Sequence, residues 1–365
     1  MINRKNRYLA SVYFISLCFI EAANAATYSF IWNNGNVTDL GNWKAVGINN
    51  YGDVIGGEGF YSSAVLWSNG VKTYLNSALP ETYNYPYDIN NSGQIVGMVA
   101  TEDSTNAVLW TNGSKINLGF GIANDINDSG NIVGTSFTAN SNGPAFLWYA
   151  GARVNLKDFY VEWDSPYIYG ESNALKVNNS GQSVGKSSEH AALWDQQGNV
   201  MALGPGIAKD INDSGQVVGR SEGQAFLWSE NTMLYFGNGT ANDINELGQV
   251  VGSTDSHAFV WSNNQKTDFG IGEAYFINES GQVVGQKVEN GTNYPFIWTD
   301  GTLINLTQFF PDADPGSIHL EGLNDAGQIV GWYTAVPLPS AYLLMSFGIT
   351  MLASLGLRPK IAISI

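Results

Sequence analysis

Residues 211–219 read Ile-Asn-Asp-Ser-Gly-Gln-Val-Val-Gly, and variants of this nine-residue phrase occur eight times in the chain. Each variant keeps an Asn, a Gly three residues later, and a second Gly four residues after the first. The copies are anchored on Asn49, Asn90, Asn127, Asn178, Asn212, Asn245, Asn278 and Asn324. Because such recurrence is the signature of a repeated supersecondary unit, the chain is predicted to be an array of one unit.

A second phrase alternates with the first and also occurs eight times, as a short apolar run that ends in tryptophan. The first is Phe30-Ile31-Trp32, and the later runs end at Trp67, Trp110, Trp148, Trp194, Trp228, Trp261 and Trp298. Between Asn178 and Asn278 the asparagines are spaced by 34, 33 and 33 residues, whereas elsewhere the spacing is 37 to 51. Some repeats therefore carry insertions.

One complete repeat, residues 224–255, predicts four short strands. Its apolar or aromatic runs are residues 225–228, 233–236, 243–245 and 249–251, and the joints between them are rich in Gly, Asn, Asp and Ser. This pattern is typical of antiparallel hairpins, with a break at residues 237–239. The Asn carboxamide can bond the backbone two residues on, and the first Gly can adopt the positive φ of a tight turn. No apolar stripe of helical period runs through the array.

The repeats predict an all-β fold, a β-propeller of eight (or seven) four-stranded blades built from repeats of 33 to 51 residues. A blade cannot bury both faces alone, so neighbouring blades supply the core. The tryptophan of each repeat is predicted to fill the space between blades, where full burial is worth roughly 3–5 kcal/mol against Ala. The array begins in a tryptophan run and ends after an Asn–Gly hairpin, so its two ends can share one blade. An open β-solenoid is the alternative.

Residues 1–25 predict a secretory signal peptide, with a basic start, an apolar centre and an Ala23-Asn24-Ala25 motif that places cleavage between Ala25 and Ala26. The repeat array is then assigned to residues 26–335 and a C-terminal tail to residues 336–365. The one cysteine, Cys18, lies in the signal peptide, so the mature chain has no thiol for disulfides, nucleophilic catalysis or thiolate metal sites.

Charge excludes a further class of partner. The two terminal segments hold five of the 16 basic residues but one of the 32 acidic residues, which leaves 11 basic and 31 acidic residues in the array, a net charge of −20. Because nucleic acid carries a dense negative charge, no nucleic-acid partner is expected. An acidic surface instead favours solubility outside the cell.

The tail begins with Val336-Pro337-Leu338-Pro339 and continues with a 17-residue apolar run, residues 341–357, followed by Arg358 and Lys360. Such a run just spans a hydrocarbon core as a helix. The tail resembles the bacterial PEP-CTERM sorting signal, with Val336, Pro337 and Pro339 as its motif. The resemblance implies an exosortase-type processing enzyme and delivery to the cell envelope, the outer surface or an extracellular matrix rich in polysaccharide. A plain membrane anchor is the alternative.

The repeats also resemble a known family. His257-Ala258-Phe259, together with residues 277–285, is similar to the HAF repeat of predicted extracellular bacterial proteins, and the resemblance covers about residues 28–333. It implies an exported array and offers no catalytic residues.

Little in the chain predicts chemistry, so it is not expected to be an enzyme. His190 and His257 share one slot of the repeat that other copies fill with unrelated residues, which favours a strand-edge position. Residues 210–215 and 125–130 match the opening of a calcium loop, but Ser221 and Ser136 stand where the closing acid is needed. We therefore predict turns and no cofactor, with a Ca²⁺-dependent adhesin as an alternative.

Three connections, those that precede Asn90, Asn178 and Asn324, are longer than the others and rich in aromatic and acidic residues. Because aromatic faces beside carboxylates suit neutral sugars, they predict a carbohydrate- or surface-binding face. Its candidate residues are Tyr83, Tyr85, Tyr87, Tyr160, Trp163, Tyr167, Phe309 and Phe310. The plainer alternative is that these aromatics pack down over a blade.

The combined expectation is an exported surface or matrix repeat protein with a structural or polysaccharide-binding role. A polysaccharide-active propeller hydrolase is a further alternative, with Asp158 and Glu162, or Asp312 and Glu321, as acid and base.

Overall fold

The apolar runs and Gly- and Asn-rich joints fold as short antiparallel strands. In a computed structural model, the residues described are 26–59, 63–75, 83–138, 142–159 and 172–336. Within these ranges there is no α-helix, and only two 3₁₀-helices occur, η1 (Leu306–Phe309) and η2 (Pro315–Ser317). The predicted all-β fold is confirmed.

The described ranges contain 28 strands. In chain order they are β1 (Thr27–Asn33), β2 (Asn36–Gly41), β3 (Lys44–Ile48), β4 (Val54–Glu58), β5 (Ser63–Ser68), β6 (Val71–Tyr74), β7 (Tyr83–Ile89), β8 (Ile95–Ala100), β9 (Thr105–Thr111), β10 (Ser114–Ile126), β11 (Ile132–Phe137), β12 (Asn142–Tyr149), β13 (Ala152–Asn155), β14 (Ser172–Val177), β15 (Ser183–Ser187), β16 (His190–Trp194), β17 (Val200–Ile211), β18 (Val217–Ser221), β19 (Gln224–Ser229), β20 (Thr232–Ile244), β21 (Val250–Thr254), β22 (His257–Ser262), β23 (Gln265–Ile277), β24 (Val283–Glu289), β25 (Thr292–Thr299), β26 (Thr302–Asn305), β27 (His319–Leu323) and β28 (Ile329–Thr334).

Strand register divides the array into eight groups of four antiparallel strands, called repeats 1 to 8 in the order of their asparagines. The groups are β3–β6, β7 to the first half of β10, the second half of β10 to β13, β14 to the first half of β17, the second half of β17 to the first half of β20, the second half of β20 to the first half of β23, the second half of β23 to β26, and β27-β28-β1-β2. In repeat 8 the strands come from both ends of the array, which confirms the predicted phasing.

Four long strands belong to two repeats each. In β20, residues up to Asn238 pair with β19, and residues from Gly239 onward pair with β21. The break predicted at residues 237–239 is therefore wrong. Gly237 and Gly239 adopt φ values of +124° and +149°, which favour glycine, so the chain changes partner without a loop. Shared strands link the described repeats into sheets of 4, 7, 13 and 4 strands, none of which closes on itself.

Residues 27–333 form one compact unit. The described residues outside it, 26 and 334–336, belong to a second unit, in which the amide of Ala335 donates to the carbonyl of Ala26 at 2.9 Å.

The hydrophobic core lies between consecutive repeats rather than inside any one of them. Eight apolar clusters occur, and each combines residues of two consecutive repeats. One cluster joins Ile31 and Val330 of repeat 8 to Ala45 and Val54 of repeat 1. The series of interfaces therefore returns to its starting repeat.

In most repeats a phenylalanine, and not the tryptophan, is the more deeply buried aromatic side chain in these clusters. All eight repeat tryptophans contact a cluster, but of these only Trp32, Trp110 and Trp194 are buried, and the other five are half-buried. In five repeats the residue two places before the tryptophan is a phenylalanine with at most 1% exposure: Phe30, Phe146, Phe226, Phe259 and Phe296. In repeat 4 that slot holds Ala192, and there Trp194 is fully buried.

The second Gly of each phrase allows the backbones of the first two strands to approach closely. A Cβ on Gly252 would lie 2.1 Å from the carbonyl oxygen of Thr240, and the corresponding distance is 1.9–2.2 Å in all eight repeats. The first strand opposite this Gly contains a β-bulge; in repeat 6 the extra residue is Asn242. A side chain at the Gly position is therefore excluded by the backbone itself.

Candidate functional site

The eight repeated asparagines form a closed cycle of hydrogen bonds. The Nδ2 atom of Asn245 donates to the backbone carbonyl of Asn278 at 3.0 Å, and the equivalent bond joins every repeat to the next at 2.7–3.2 Å. The last of them runs from Asn324 back to Asn49, 275 residues away, at 2.9 Å. Each of these asparagines is at most 7% exposed.

The same carboxamide also shapes its own turn. The Oδ1 atom of Asn245 accepts from the backbone N–H of Gln249 at 2.9 Å, and Gly248 adopts a φ of +72°. The bond to the fourth following residue occurs in all eight repeats. The bond predicted two residues on occurs at Asn49 and Asn90. One side chain thus fixes a turn and links two repeats.

We call the eight asparagines of this hydrogen-bond cycle the asparagine ring. Charged side chains stand two residues before the ring asparagine in five repeats: Asp88, Asp125, Lys176, Asp210 and Asp243. The first four border a cavity of about 320 Å³ beside the asparagine ring. The carboxylates accept backbone N–H groups of the next repeat: Asp125 accepts from Val177 at 2.8 Å, and Asp210 accepts from Ile244 at 3.0 Å. The Nζ atom of Lys176 donates to Asp125 at 2.7 Å.

These charges perturb one another strongly. Burial and the nearby Asp125 carboxylate raise the pKa of Asp88 to about 7, and burial together with Asp243 raises the pKa of Asp210 well above its usual range. The charge of Asp125 raises the pKa of Lys176. Lys176 therefore stays charged at neutral pH, and the raised pKa of Asp210 reflects burial and a neighbouring acid, both of which disfavour its ionised form.

A second cavity, of about 390 Å³, is lined by none of the asparagine turns. The bulge residues of three consecutive repeats line it: Lys209, Asn242 and Tyr275. Glu273 and Gln286 of repeat 7 and His319 of repeat 8 complete its polar border. Bulges often redirect a side chain at functional sites, and here they supply three different side chains to one cavity. We call it the bulge pocket.

Hydrogen bonds order the polar side chains of the bulge pocket. Asn242 donates to the Glu273 carboxylate and to the Ala274 carbonyl, both at 2.9 Å. Tyr275 Oη donates to Gln286 Oε1 at 3.1 Å. Burial, then the carboxylates of Glu273 and Glu321, raise the pKa of Tyr275, so it remains a phenol at neutral pH.

An aromatic cluster adjoins this pocket in repeat 8. The His319 ring stacks on Trp332 with centroids 3.8 Å apart, and Lys44 Nζ lies 4.2 Å from the Trp332 ring centroid. Trp332 Nε1 donates to Glu321 at 2.9 Å. Burial and the charge of Lys44 lower the pKa of His319, which keeps the imidazole neutral near pH 7.

Five residues of the predicted sugar-binding face lie in the described ranges. Tyr83 and Tyr85 stack with centroids 6.5 Å apart, and Tyr87 is 40% exposed. Phe310 is 5% exposed and packs on Phe30 at 4.5 Å, which is the packing role given above as the alternative. Phe309 likewise packs against Trp32, at 5.7 Å. Tyr160, Trp163 and Tyr167 lie outside the described residues.

Other candidates for chemistry occupy separate places. His257 Nδ1 contacts Asp268 at 2.9 Å on the surface, and His190 lies 5.0 Å from the ring of Phe159. Across the ranges that the structure describes, no group of three or more His, Cys, Asp and Glu side chains could hold a metal ion. Glu162 of the proposed carboxylate pair lies outside those ranges.

The processing segments are largely outside the described structure as well. Residues 1–25, Pro337, Pro339 and the apolar run 341–357 are not described, whereas Ala26 and the exposed Val336 are. No helix in the described part of the chain is long and apolar enough to cross a membrane. No protein-family model matches the sequence, and a search of curated proteins found no significant match.

Proposed function

We propose that the chain is an exported, eight-bladed β-propeller that acts as a binding scaffold at the cell surface or in the extracellular matrix. The closed cycle of asparagine hydrogen bonds is the observation that carries the propeller assignment. A cycle requires the repeats to surround one axis, whereas a solenoid would leave its first and last asparagines far apart. The return of the interface series from repeat 8 to repeat 1 supports the same arrangement.

The binding role follows from where the chain varies. The connection into each repeat precedes the first strand, and the asparagine turn follows that strand, so the connections and the turns lie at opposite ends. Of the three long connections, the one before Asn324 is described throughout, and its Ile318 lines the bulge pocket. Variable loops on a rigid scaffold are where proteins most often place recognition.

Export is inferred from the two terminal segments. The signal peptide would direct secretion, with cleavage between Ala25 and Ala26, and the sorting motif would recruit an exosortase-type enzyme. Mass spectrometry of the protein released by producing cells should find Ala26 as its first residue and no apolar tail. Replacing Val336, Pro337 and Pro339 together by Ala should keep the protein in the membrane fraction. Release of that variant at the normal level would contradict the sorting proposal.

Carbohydrate binding is tested by retention on the neutral polysaccharide of the producing cells. The paired changes Trp163→Ala/Tyr167→Ala and Tyr85→Ala/Tyr87→Ala should each weaken retention about tenfold, because each removes aromatic stacking surface. The paired control Phe120→Ala/Tyr235→Ala removes two aromatics that are 61% and 42% exposed but belong to no long connection. Equal retention of all three variants and the parent protein would refute the predicted face.

A further inference from the structure

The lining of the bulge pocket includes none of the eight aromatic residues predicted for the face of the long connections. Its aromatic surface comes from Tyr275 and Phe276, consecutive residues whose ring centroids are 6.4 Å apart at an interplanar angle of 63°. The cavity of about 390 Å³ falls within the range of small-molecule sites. Its walls belong to repeats 5 to 8, so no single repeat contains the site.

The charges at the pocket point to a ligand without net charge. Lys209 and Glu273 contribute one charge of each sign. An anion would also meet the strongly acidic array, which carries 31 acidic and 11 basic residues. A metal cation would meet a single carboxylate, whose oxygen already accepts from Asn242 at 2.9 Å. Neither ionic class is therefore matched by this border.

The hydrogen-bonding groups suit hydroxyls. A sugar hydroxyl both donates and accepts, and the pocket offers both functions: the Glu273 carboxylate accepts, and the Lys209 ammonium donates. Within the described part of the chain, Lys209 has no ion-pair partner, and the NH₂ group of Gln286 has no hydrogen-bond partner. The phenol of Tyr275 is held in place by Gln286, so its ring presents a fixed face.

We propose that the bulge pocket binds one neutral sugar unit of an extracellular glycan, stacked on Tyr275 with its hydroxyls toward Glu273, Gln286 and Lys209. This inference rests on the proposed binding role and names a site and ligand class for it. A difference among the repeats accounts for the position of the site. In repeats 2 to 6 the slot two residues before the ring asparagine is charged, whereas in repeat 7 it holds Phe276.

Titration of the purified protein with glucose, galactose, mannose and N-acetylglucosamine, followed by saturation-transfer NMR and calorimetry, tests the proposal. At least one of these neutral sugars should bind, and glucuronate and glucosamine should bind at least tenfold more weakly than glucose. Tyr275→Ala should weaken binding of the preferred sugar about tenfold, and Glu273→Gln about fivefold. Tyr275→Phe keeps the ring and should cost about twofold.

Controls separate loss of the site from loss of the fold. Tyr235→Ala, which removes an aromatic that is 42% exposed on β20, should bind as the parent protein does. Thermal unfolding of every variant should remain cooperative, and Tyr275→Phe provides a folded test if Tyr275→Ala unfolds. If the parent protein binds a sugar and the Tyr275 and Glu273 variants bind it equally well, the pocket is refuted while the binding role stands. If the parent binds neither these sugars nor the neutral polysaccharide, both proposals fail.

Discussion

The asparagine turns and the β-bulges differ in how much the repeats agree. At the turn end, every repeat has the same Asn and the same two Gly, and their bonds form one cycle. At the bulge, three residues before the Asn, the eight repeats hold six different residue types: Val46, Tyr87, Asn124, Leu175, Lys209, Asn242, Tyr275 and Glu321. Agreement occurs where backbone geometry dictates the residue. Variation occurs where a side chain faces an opening and can acquire a specific role.

A second contrast lies among the slots that precede the turn. Repeats 2 to 6 place a charge there, and repeats 7, 8 and 1 place Phe276, Gly322 and Gly47. The four aspartates accept a backbone N–H of the following repeat, as Asp210 does from Ile244, whereas Lys176 donates to Asp125 of the preceding repeat. Phe276, Gly322 and Gly47 have no side-chain group that could make this bond, and the bulge pocket adjoins this uncharged stretch. The asparagine hydrogen bonds between repeats are therefore regular, whereas the residues that line the cavities differ from repeat to repeat.

The largest effect is expected where agreement has a steric cause. Gly252→Ala would place a Cβ 2.1 Å from the Thr240 carbonyl and 2.8 Å from the Ala241 Cα, so β20 and β21 must separate. We expect a loss of about 4 kcal/mol in the free energy of unfolding, or insoluble protein. Gly316→Ala is the control, because a Cβ there meets nothing within 4 Å. Equal urea-unfolding midpoints for the two variants would show that the close approach does not constrain the fold.

A smaller loss is expected on opening the asparagine cycle. Asn245→Ala removes the bond to Asn278 and leaves the amide of Gln249 without its partner in a partly buried turn, which should cost about 3 kcal/mol. Asn245→Asp keeps an acceptor for Gln249 but places a carboxylate oxygen against the Asn278 carbonyl, so it should be destabilising as well. The exposed Asn36→Ala should change the unfolding free energy by less than about 0.5 kcal/mol. If Asn245→Asp left the free energy of unfolding unchanged, the bond between repeats would contribute nothing to stability.

The smallest effect on stability is expected for the charged residue two places before the turn asparagine, and this effect depends on pH. Asp88 has a pKa of about 7 in the folded protein, whereas an unfolded Asp titrates near 4. Its stabilising contribution is therefore complete below about pH 4 and is lost as the pH rises through 7. Asp88→Asn keeps an acceptor for the Ile126 amide without the charge. The free energy of unfolding of the variant should exceed that of the parent protein by about 2 kcal/mol at pH 8, and the difference should be smaller at pH 5.

Urea unfolding at the two pH values measures this difference. The groups that face Asp88 are Asp125 and Lys176, and neither is altered. Asp103→Asn, at an exposed loop position, should leave the pH profile unchanged. An Asp88→Asn protein whose stability follows the same pH profile as the parent would contradict the origin assigned to the shift.

Features that depend on neighbouring residues were predictable from the sequence. The four strands of a repeat, the turn at Asn245 with Gly248, and the shared sheet at the two ends all follow from local hydrogen bonding and phasing. All eight repeat tryptophans contact a cluster between repeats, but five of them are only half-buried. It is the phenylalanine two positions earlier that lies opposite the second Gly: the Phe296 ring would be 3.0 Å from a Cβ on Gly285.

The candidate site was harder to predict from the sequence. Tyr275 and Glu273 carry no motif, and they become a site only because Lys209, Asn242 and His319 arrive from three other repeats. Of the aromatics singled out from the long connections, Phe310 is buried against Phe30, a contact that needs strands from both ends of the array. Sequence spacing shows how often a side chain recurs and does not show which copies meet.

The sequence by itself determined the repeat, its strands, its turns and the acidity of the array, because each depends on residue type and on partners a few positions away. Only the tertiary structure decided that Asn324 bonds to Asn49, that the second Gly is required by a neighbouring backbone, and that three bulges open onto one pocket. Those relations join residues from different repeats, and the distances between them are set by packing between repeats.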